Sequence, residues 1–292
     1  MEIIYRETRE EDFENLSKLF KEIFGKEFPP SYFKWKYKNG YSLIALSNDE
    51  IVGHYGGIFF YFHYKGKVYK VVQATDLMTY PKVRHLIGRK SVILNLANLF
   101  FDHCLKEKID FAYGFPGEKS RLLGEKFLDY RPLCKVRFNL FELKKGEFIY
   151  PIEKFNFLNY DIKRITYFGK SYGIYKNLEY FKWRYIENPV NDYYISYNKN
   201  TLFVFKISER EAILMDYICW NKKEAIELFN GAKASLKNFG IDILKTFSLN
   251  FIEKGEFKEV EENYFLEYKP LIINPKKILN FNQFSPSDYD VF

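Results

Sequence analysis

The sequence predicts an α+β fold built twice: two tandem domains, residues 1–145 and 146–292, each a mixed, mainly antiparallel sheet flanked by helices. Three observations predict it. The peptide YFKWKY at residues 32–37 returns as YFKWRY at residues 180–185 in a chain of 292 residues, about half a chain length later. A second anchor repeats the plan of helix end, polar corner, Ile-Asp and aromatic strand, with Ile109-Asp110 answered by Ile241-Asp242, so the echo reads as an internal period. The length also suits two domains of the usual size. The first anchor is offset by 148 positions and the second by 132, so the later copy has lost about 16 residues between its anchors.

In the first copy, residues 3–6 alternate like a short strand. Thr8 with Glu11 three positions on forms a capping box that opens a helix, in which Phe13, Leu16, Phe20, Ile23 and Phe24 share one stripe up to Gly25. Pro29-Pro30 breaks the chain, the repeat peptide follows as a short amphipathic helix, and residues 41–46 form a strand ended by Ser47-Asn48-Asp49. Residues 51–62 and 68–80 are aromatic, β-branched runs joined at Lys65-Gly66, which reads as a hairpin. After Pro81 a basic loop leads into a helix over residues 91–106 whose inner face carries Val92, Leu96, Leu99 and His103. A strand at 109–115, a helix at 118–128 and a strand at 137–143 complete the order β, α, α, β, β, β, α, β, α, β.

The second copy begins beyond a linker near Lys144–Glu147. Its repeat peptide leads to strands at 193–197, 202–207 and 212–220, and then Asn221 enters a helix directly. The missing residues fall in the interval that held the hairpin and the basic loop of the first copy. Trp35 and Trp183 read as core anchors of the two copies.

Hydrophobic content of 47% with 31 Phe and 25 Tyr supplies ample core, which excludes a disordered chain. No apolar run approaches the roughly 18 residues of a membrane span, and the first residues have neither a basic nor an apolar leader region, so a cytoplasmic location is expected. Cys104, Cys134 and Cys219 are too scattered for a disulfide framework, and His54, His63, His85 and His103 show no metal-ligand spacing. The net charge of +7 comes from 45 basic residues interleaved with 38 acidic ones, and clusters such as Lys34, Lys36 and Lys38 have the spacing of solvated faces, which argues against nucleic acid. A mild positive excess instead favours a polyanionic small ligand or an acidic carrier protein.

A strand feeding a basic, Gly-containing loop that opens a helix is a physical anion site, because free backbone N–H groups and the helix dipole attract phosphate. Here Arg84, His85, Ile87, Gly88, Arg89 and Lys90 form that loop. At these residues the chain resembles the GNAT superfamily of N-acetyltransferases, whose loop carries [Q/R]-x-x-G-x-[G/A]. A glycine is expected where Ile87 stands, Gly88 comes one place late, and Arg89 stands where a small residue is usual. Residues 76–81 (DLMTYP) resemble the family's central strand, and residues 113–131 resemble the strand, helix and aromatic ending that follow. The Trp35-Lys36-Tyr37 peptide is also similar to that of tandem-GNAT proteins linked with cell-envelope sugar and peptide modification.

The resemblance implies acyl transfer from acetyl-CoA or another acyl-CoA to an amine of a small molecule, glycan or peptide, in a monomer or homodimer. It implies that the backbone of Leu77, Met78 and Thr79 holds the pantetheine arm, and that Asp76 or Gln73 addresses the amine, with Asp76 the first choice of base. His54, among the glycines of residues 52–57, is a second candidate, since glycines let a ligand approach a strand. The family's thiolate acid is a Tyr in the helix after Pro116. Glu125 occupies its place, with Tyr113 and Tyr130 as substitutes. Two other readings stay open: a non-catalytic binding or scaffold protein that keeps the fold, and aminoacyl transfer from tRNA.

Overall fold

The computed structural model describes residues 2–156, 172–247, 249, 251–252 and 256–289. They form two compact units: one runs through Cys134 and takes in Tyr264–Leu279, and the other comprises Lys135–Asn263 and the segment from Asn280 onward. The sequence places a single cut at 145. The division lies earlier, and part of the C-terminal half belongs with the first unit, because each sheet takes its closing strand from the other half of the chain.

In the first unit the elements are β1 (Ile4–Glu7), α1 (Phe13–Phe24), α2 (Pro30–Lys36), β2 (Gly40–Ser47), β3 (Glu50–Tyr64), β4 (Lys67–Thr79), α3 (Val92–Lys106), β5 (Phe111–Gly114) and α4 (Glu118–Phe127), in the expected order. Two local expectations are corrected. The turn before α1 is tied by Asp12, whose carboxylate accepts the Arg9 N–H at 2.7 Å and pairs with Arg6, so the Thr8–Glu11 box does not form. On α3 the buried face carries Val92, Leu96, Ala97, Phe100, Phe101 and Cys104, whereas Leu99 is 43% exposed. His103 stacks on Tyr41 with ring centroids 3.6 Å apart.

The hairpins close as their residues require. Asn48 and Asp49 (φ 49° and 63°) and Lys65 and Gly66 (φ 48° and 75°) are left-handed at both turn positions, which matches the twist of the strands they join. Gly25 at φ 68° ends α1. The sheet runs β1-β2-β3-β4-β5 and is completed by β13 (Lys258–Pro270), whose Glu267–Pro270 pair antiparallel with β5; only β4 and β5 are parallel. Helix α3 packs on one face of this sheet, where Gly53 would meet Val92 and Leu96 if it bore a Cβ.

The second unit contains β6 (Arg131–Glu142, from Lys135), β7 (Glu153–Lys154), β8 (Tyr172–Ile174), α5 (Leu178–Phe181), β9 (Tyr194–Tyr197), β10 (Thr201–Ser208), β11 (Glu211–Cys219), α6 (Lys222–Asn238) and β12 (Ile243–Thr246). Its strands lie in the order β7-β9-β10-β11-β12-β6, with β11 and β12 parallel and β6 antiparallel to β12. The registers repeat those of the first unit. Val71, Val72 and Gln73 face Phe111, Ala112 and Tyr113; Glu211, Ala212 and Ile213 face Ile243, Leu244 and Lys245. The Ile-Asp anchors do the same job in both, with the Asp110 N–H donating to Lys70 O at 2.7 Å and the Asp242 N–H to Arg210 O at 2.8 Å. Trp35 and Trp183 are both buried.

Candidate active site

The parallel ladder between β4 and β5 ends at Gln73–Tyr113, while β4 runs on to Thr79 against β3 alone. Beyond that rung the β5-facing edge of Ala74–Thr79 has no ladder partner among the described residues. At the rim stands Gly114, where an added Cβ would lie 3.6 Å from Ala74 O, so the gap is open for want of a side chain. Position 246 on β12 corresponds to Gly114, and there Thr246 donates its hydroxyl to Leu214 O at 3.1 Å. The second unit is stitched shut where the first is open.

The edge of β4 leads straight into the basic loop. Arg84, His85, Ile87, Gly88, Arg89 and Lys90 are all exposed there, with Ile87 81% accessible. Gly88 adopts φ 58° with no atom within 4 Å of an added Cβ, so the glycine serves the backbone turn and leaves open space beside it. The N–H groups of Ile87, Gly88 and Arg89 donate to no backbone carbonyl among the described residues. Ser91 then caps α3, accepting from the Leu94 N–H. Charge, free donors and a helix start converge, which is what an anionic group needs. In the second unit Cys219 ends β11 and α6 begins at Lys222 behind the Asn221 cap, so no such loop intervenes.

On the other face of β4 lies a buried polar cluster. Between the pairs His54–Met78 and Gly56–Thr75, Asp76 and Leu77 together oppose Tyr55, a bulge whose first residue, Asp76, is left-handed at φ 50°. Glycine is usual at such a position, and Asp is one of the few other residues that tolerate it. The bulge turns the Asp76 carboxylate toward α2, where Lys36 Nζ lies 2.9 Å from Oδ1 and Tyr37 Oη donates to Oδ2 at 2.7 Å. The Lys36 and Asp76 side chains are 1% and 8% exposed. Lys36 is therefore a buried ion-pair partner and not part of a solvated face. Gly56 makes room for it all, since a Cβ there would collide with the Tyr37 ring.

Burial alone would push the Asp76 carboxyl up, but the Lys36 charge and the hydrogen bonds from Lys36 and Tyr37 outweigh it and hold the group below its ordinary value. His54 differs in kind. Its Nδ1 lies 2.8 Å from Asp76 O, and because a carbonyl only accepts, Nδ1 carries the proton and Nε2 the lone pair. Nε2 is buried and has no hydrogen-bond partner among the described residues. Burial lowers the His54 pKa, so the ring is neutral, while the nearby Asp76 charge would favour its protonation. Gln73 is buried on the last rung of the ladder, and Leu77, Met78 and Thr79 form the strand end beyond the bulge.

The α4 side brings together residues that were read separately. Glu125 is engaged by Arg121 one turn earlier, and Arg121 also stacks over Phe265 with its Cζ 4.5 Å from the ring centre. Tyr113 is fully buried, and Tyr130 meets Tyr55 hydroxyl to hydroxyl at 3.2 Å, with burial raising the pKa of both members of that pair. Beneath α4 lies Glu267 of β13, 5% exposed. Lys36, Tyr37 and Glu267 escaped the sequence reading. The repeat peptide did signal Tyr37, because its final Tyr holds the same place in both copies.

That equivalence is explicit in the second unit. Tyr185, the last residue of the second repeat peptide, donates to Asp216 Oδ2, and Lys176 Nζ lies 2.7 Å from Asp216 Oδ1. The offset of 140 from Asp76 to Asp216 is also that from Lys70 to Arg210. Here Ser285 and Ser287 add donors to Asp216 at 2.7 Å each, and Asp288 joins Lys176. Met78 pairs with His54, and its counterpart Ile218 pairs with Leu202. The carboxylate clamp recurs; the imidazole does not.

Residues 4–122 match the family model of an acetyltransferase (GNAT) domain. That stretch is similar to a GNAT domain. Solved structures agree at the level of fold. A conserved protein from Enterococcus faecalis V583 described as a probable N-acyltransferase superposes with a TM-score of 0.70 at 12% identity, covering 93% of this chain and 73% of that one. A GCN5-related N-acetyltransferase from Kribbella flavida gives 0.68 at 13% identity over 93% and 71% of the chains. The N-myristoyltransferase of Saccharomyces cerevisiae, solved with bound myristoyl-CoA, gives 0.61 at 13% identity over 100% and 86%. No curated protein matches the chain. The matched stretch therefore includes the bulged strand, the basic loop and the first half of α4, and acyl transfer is the chemistry that the family supports.

Proposed function

We propose that this protein moves an acyl group from an acyl-CoA to a primary amine, and that the first unit does the chemistry. The observation that carries the reading is the open β4 edge from Ala74 to Thr79, running from Gly114 to a loop of free N–H groups. The pantetheine arm has unpaired strand backbone to bond there, and the pyrophosphate meets Arg84, Gly88, Arg89 and Lys90 at the start of α3. Holding donor and amine together makes a bimolecular step nearly unimolecular.

His54 is the better base. Asp76 has both oxygens engaged and is held ionised at low pKa, which makes it a weak proton acceptor; His54 offers a free Nε2 whose tautomer is fixed and whose protonated form Asp76 favours. Asp76 then acts by charge and through its carbonyl. Backbone donors at Leu77–Thr79 suit the oxyanion. The acceptor is an amine on a small molecule, a peptide or a glycan, and an acyl carrier protein is the alternative thioester donor. Calorimetry with acetyl-CoA and myristoyl-CoA tests the reading. Micromolar binding, weakened severalfold by Arg84→Ala, is expected, and no heat at millimolar ligand would sink it.

One observation favours a second reading, a binding protein without turnover: the Lys–Asp–Tyr clamp also stands at Asp216, in a unit with no counterpart of the loop or of His54, so the clamp by itself is structural. Turnover of bound acyl-CoA with any amine of a peptide and amino-sugar panel, abolished by His54→Gln, decides against it.

A further inference from the structure

We infer that Glu267, supplied by β13, is the proton donor to the departing thiolate, an inference that rests on the acyl-transfer reading above. It pairs with Gly114, the rim residue of the open edge, and since Gly114 bears no side chain, none at that rung separates the carboxyl from the opening. The carboxyl is buried, and its Oε2 has no hydrogen-bond partner among the described residues. A buried polar atom left without a partner costs stability and calls for an explanation. The matching rung of the second unit gives the contrast: Thr246 pairs with Asn139, whose Nδ2 donates to Phe247 O at 3.4 Å. Where the edge is stitched, the side chain at this position is a satisfied amide; where it is open, it is an unsatisfied acid.

The groups facing Glu267 fit a proton-holding role. From α4 come Arg121 and Glu125, already paired with each other; Tyr130 and Tyr55 are neutral phenols; and Lys269 on the same strand donates to Leu128 O at 2.6 Å. Gly124 lies close by, with a Cβ position 3.5 Å from Glu267 Oε1. Burial first, then the Glu125 charge, against the opposing Arg121, raise Glu267 to about 8, so the carboxyl is protonated at neutral pH. In the transfer, the amine nitrogen bonds to the thioester carbonyl carbon, its proton passes to His54 Nε2, and the C–S bond breaks with its electron pair on sulfur. Sulfur takes the Glu267 proton, leaving amide, thiol, a Glu267 carboxylate and a His54 cation, which solvent resets.

Infrared difference spectra of the full chain, wild type minus Glu267→Gln, at neutral pH read the carbonyl band of a protonated carboxyl. CoA should shift that band, and desulfo-CoA, which lacks the sulfur, should leave it in place. Glu125→Gln should lower the pH at which the band disappears. A band absent at neutral pH, or one unmoved while CoA demonstrably binds, overturns the role of Glu267 and leaves acyl-CoA binding intact. A band present in a protein that binds no CoA overturns the acyl-transfer reading and the inference with it. With an amine that turns over, Glu267→Gln should slow thiol release about 100-fold with little change in CoA affinity, and should remove the loss of rate above about pH 8 that the wild type is expected to show.

Discussion

An ammonium and a carboxylate buried together behave as one object, and removing either member is far worse than removing both. Lys36→Met should destabilise the protein by about 3–5 kcal/mol, because it leaves the Asp76 charge buried without its cation, and Lys36→Met with Asp76→Leu should recover much of that loss in urea denaturation. Glu267 gives a pH signature of opposite sense to ordinary carboxylates. Its folded value is raised from 4.5 to about 8, so between those limits the folded state holds a proton that the unfolded chain has lost. That group's contribution is thus intact in acid and fades as pH rises through about 8, at a cost on the order of a few kcal/mol. Glu267→Gln should accordingly be more stable than the wild type at about pH 9 and match it near pH 4, as read from urea midpoints. At this scale the sequence was only partly legible. Lys34, Lys36 and Lys38 alternate as on a strand, but α2 turns through about 100° per residue, and that rotation carries Lys36 into the core. Nothing local to Glu267 marks it, since its burial depends on β5 and α4, more than a hundred residues earlier.

Secondary-structure elements follow from local pattern, and their edges and partners do not. Ten elements of the first copy could be read in order because period-two and helical repeats are written in adjacent residues, as in β3, β4 and α1. The bulge at Asp76 could not, because it depends on how β3 and β4 count against each other. The opening beside β4 is likewise a property of one missing side chain. Gly114→Thr should reproduce the stitch made by Thr246 to Leu214 O, since Gly114 has ordinary backbone angles and space for a Cβ. The expected result is a fold as stable as the wild type or slightly more so, with acyl-CoA binding weakened at least tenfold in calorimetry. Retained affinity would mean that the ligand enters elsewhere. The capping of α1 by Asp12 shows the same limit on a smaller scale, for Glu11 and Asp12 are equally plausible in sequence, and only the position of Arg6 on β1 chooses between them.

For the whole molecule, the repeat peptide and the Ile-Asp anchor predict two units with one plan; the described residues form two compact units, and the β4–β5 and β11–β12 ladders have matching registers. The boundary could not be read, because strand exchange leaves no trace in hydropathy. A chain ending at residue 145 should therefore fail to give a cooperative near-ultraviolet spectrum or a sharp urea transition, having lost Tyr264–Leu279 from its first unit. Among the described residues no helix is long and apolar enough to cross a membrane. The late arrival of β13 also has a consequence for how the protein is made. When Gly114 leaves the ribosome, the outer edge of β5 has no strand to pair with until Glu267 to Pro270 are synthesised. At roughly 5–20 residues per second that wait lasts on the order of ten seconds or more. Throughout it the nascent first unit presents an unpaired, aromatic strand edge to its neighbours, the kind of surface on which growing chains aggregate, so its yield in the cell should depend on translation speed and on chaperones that cover that edge.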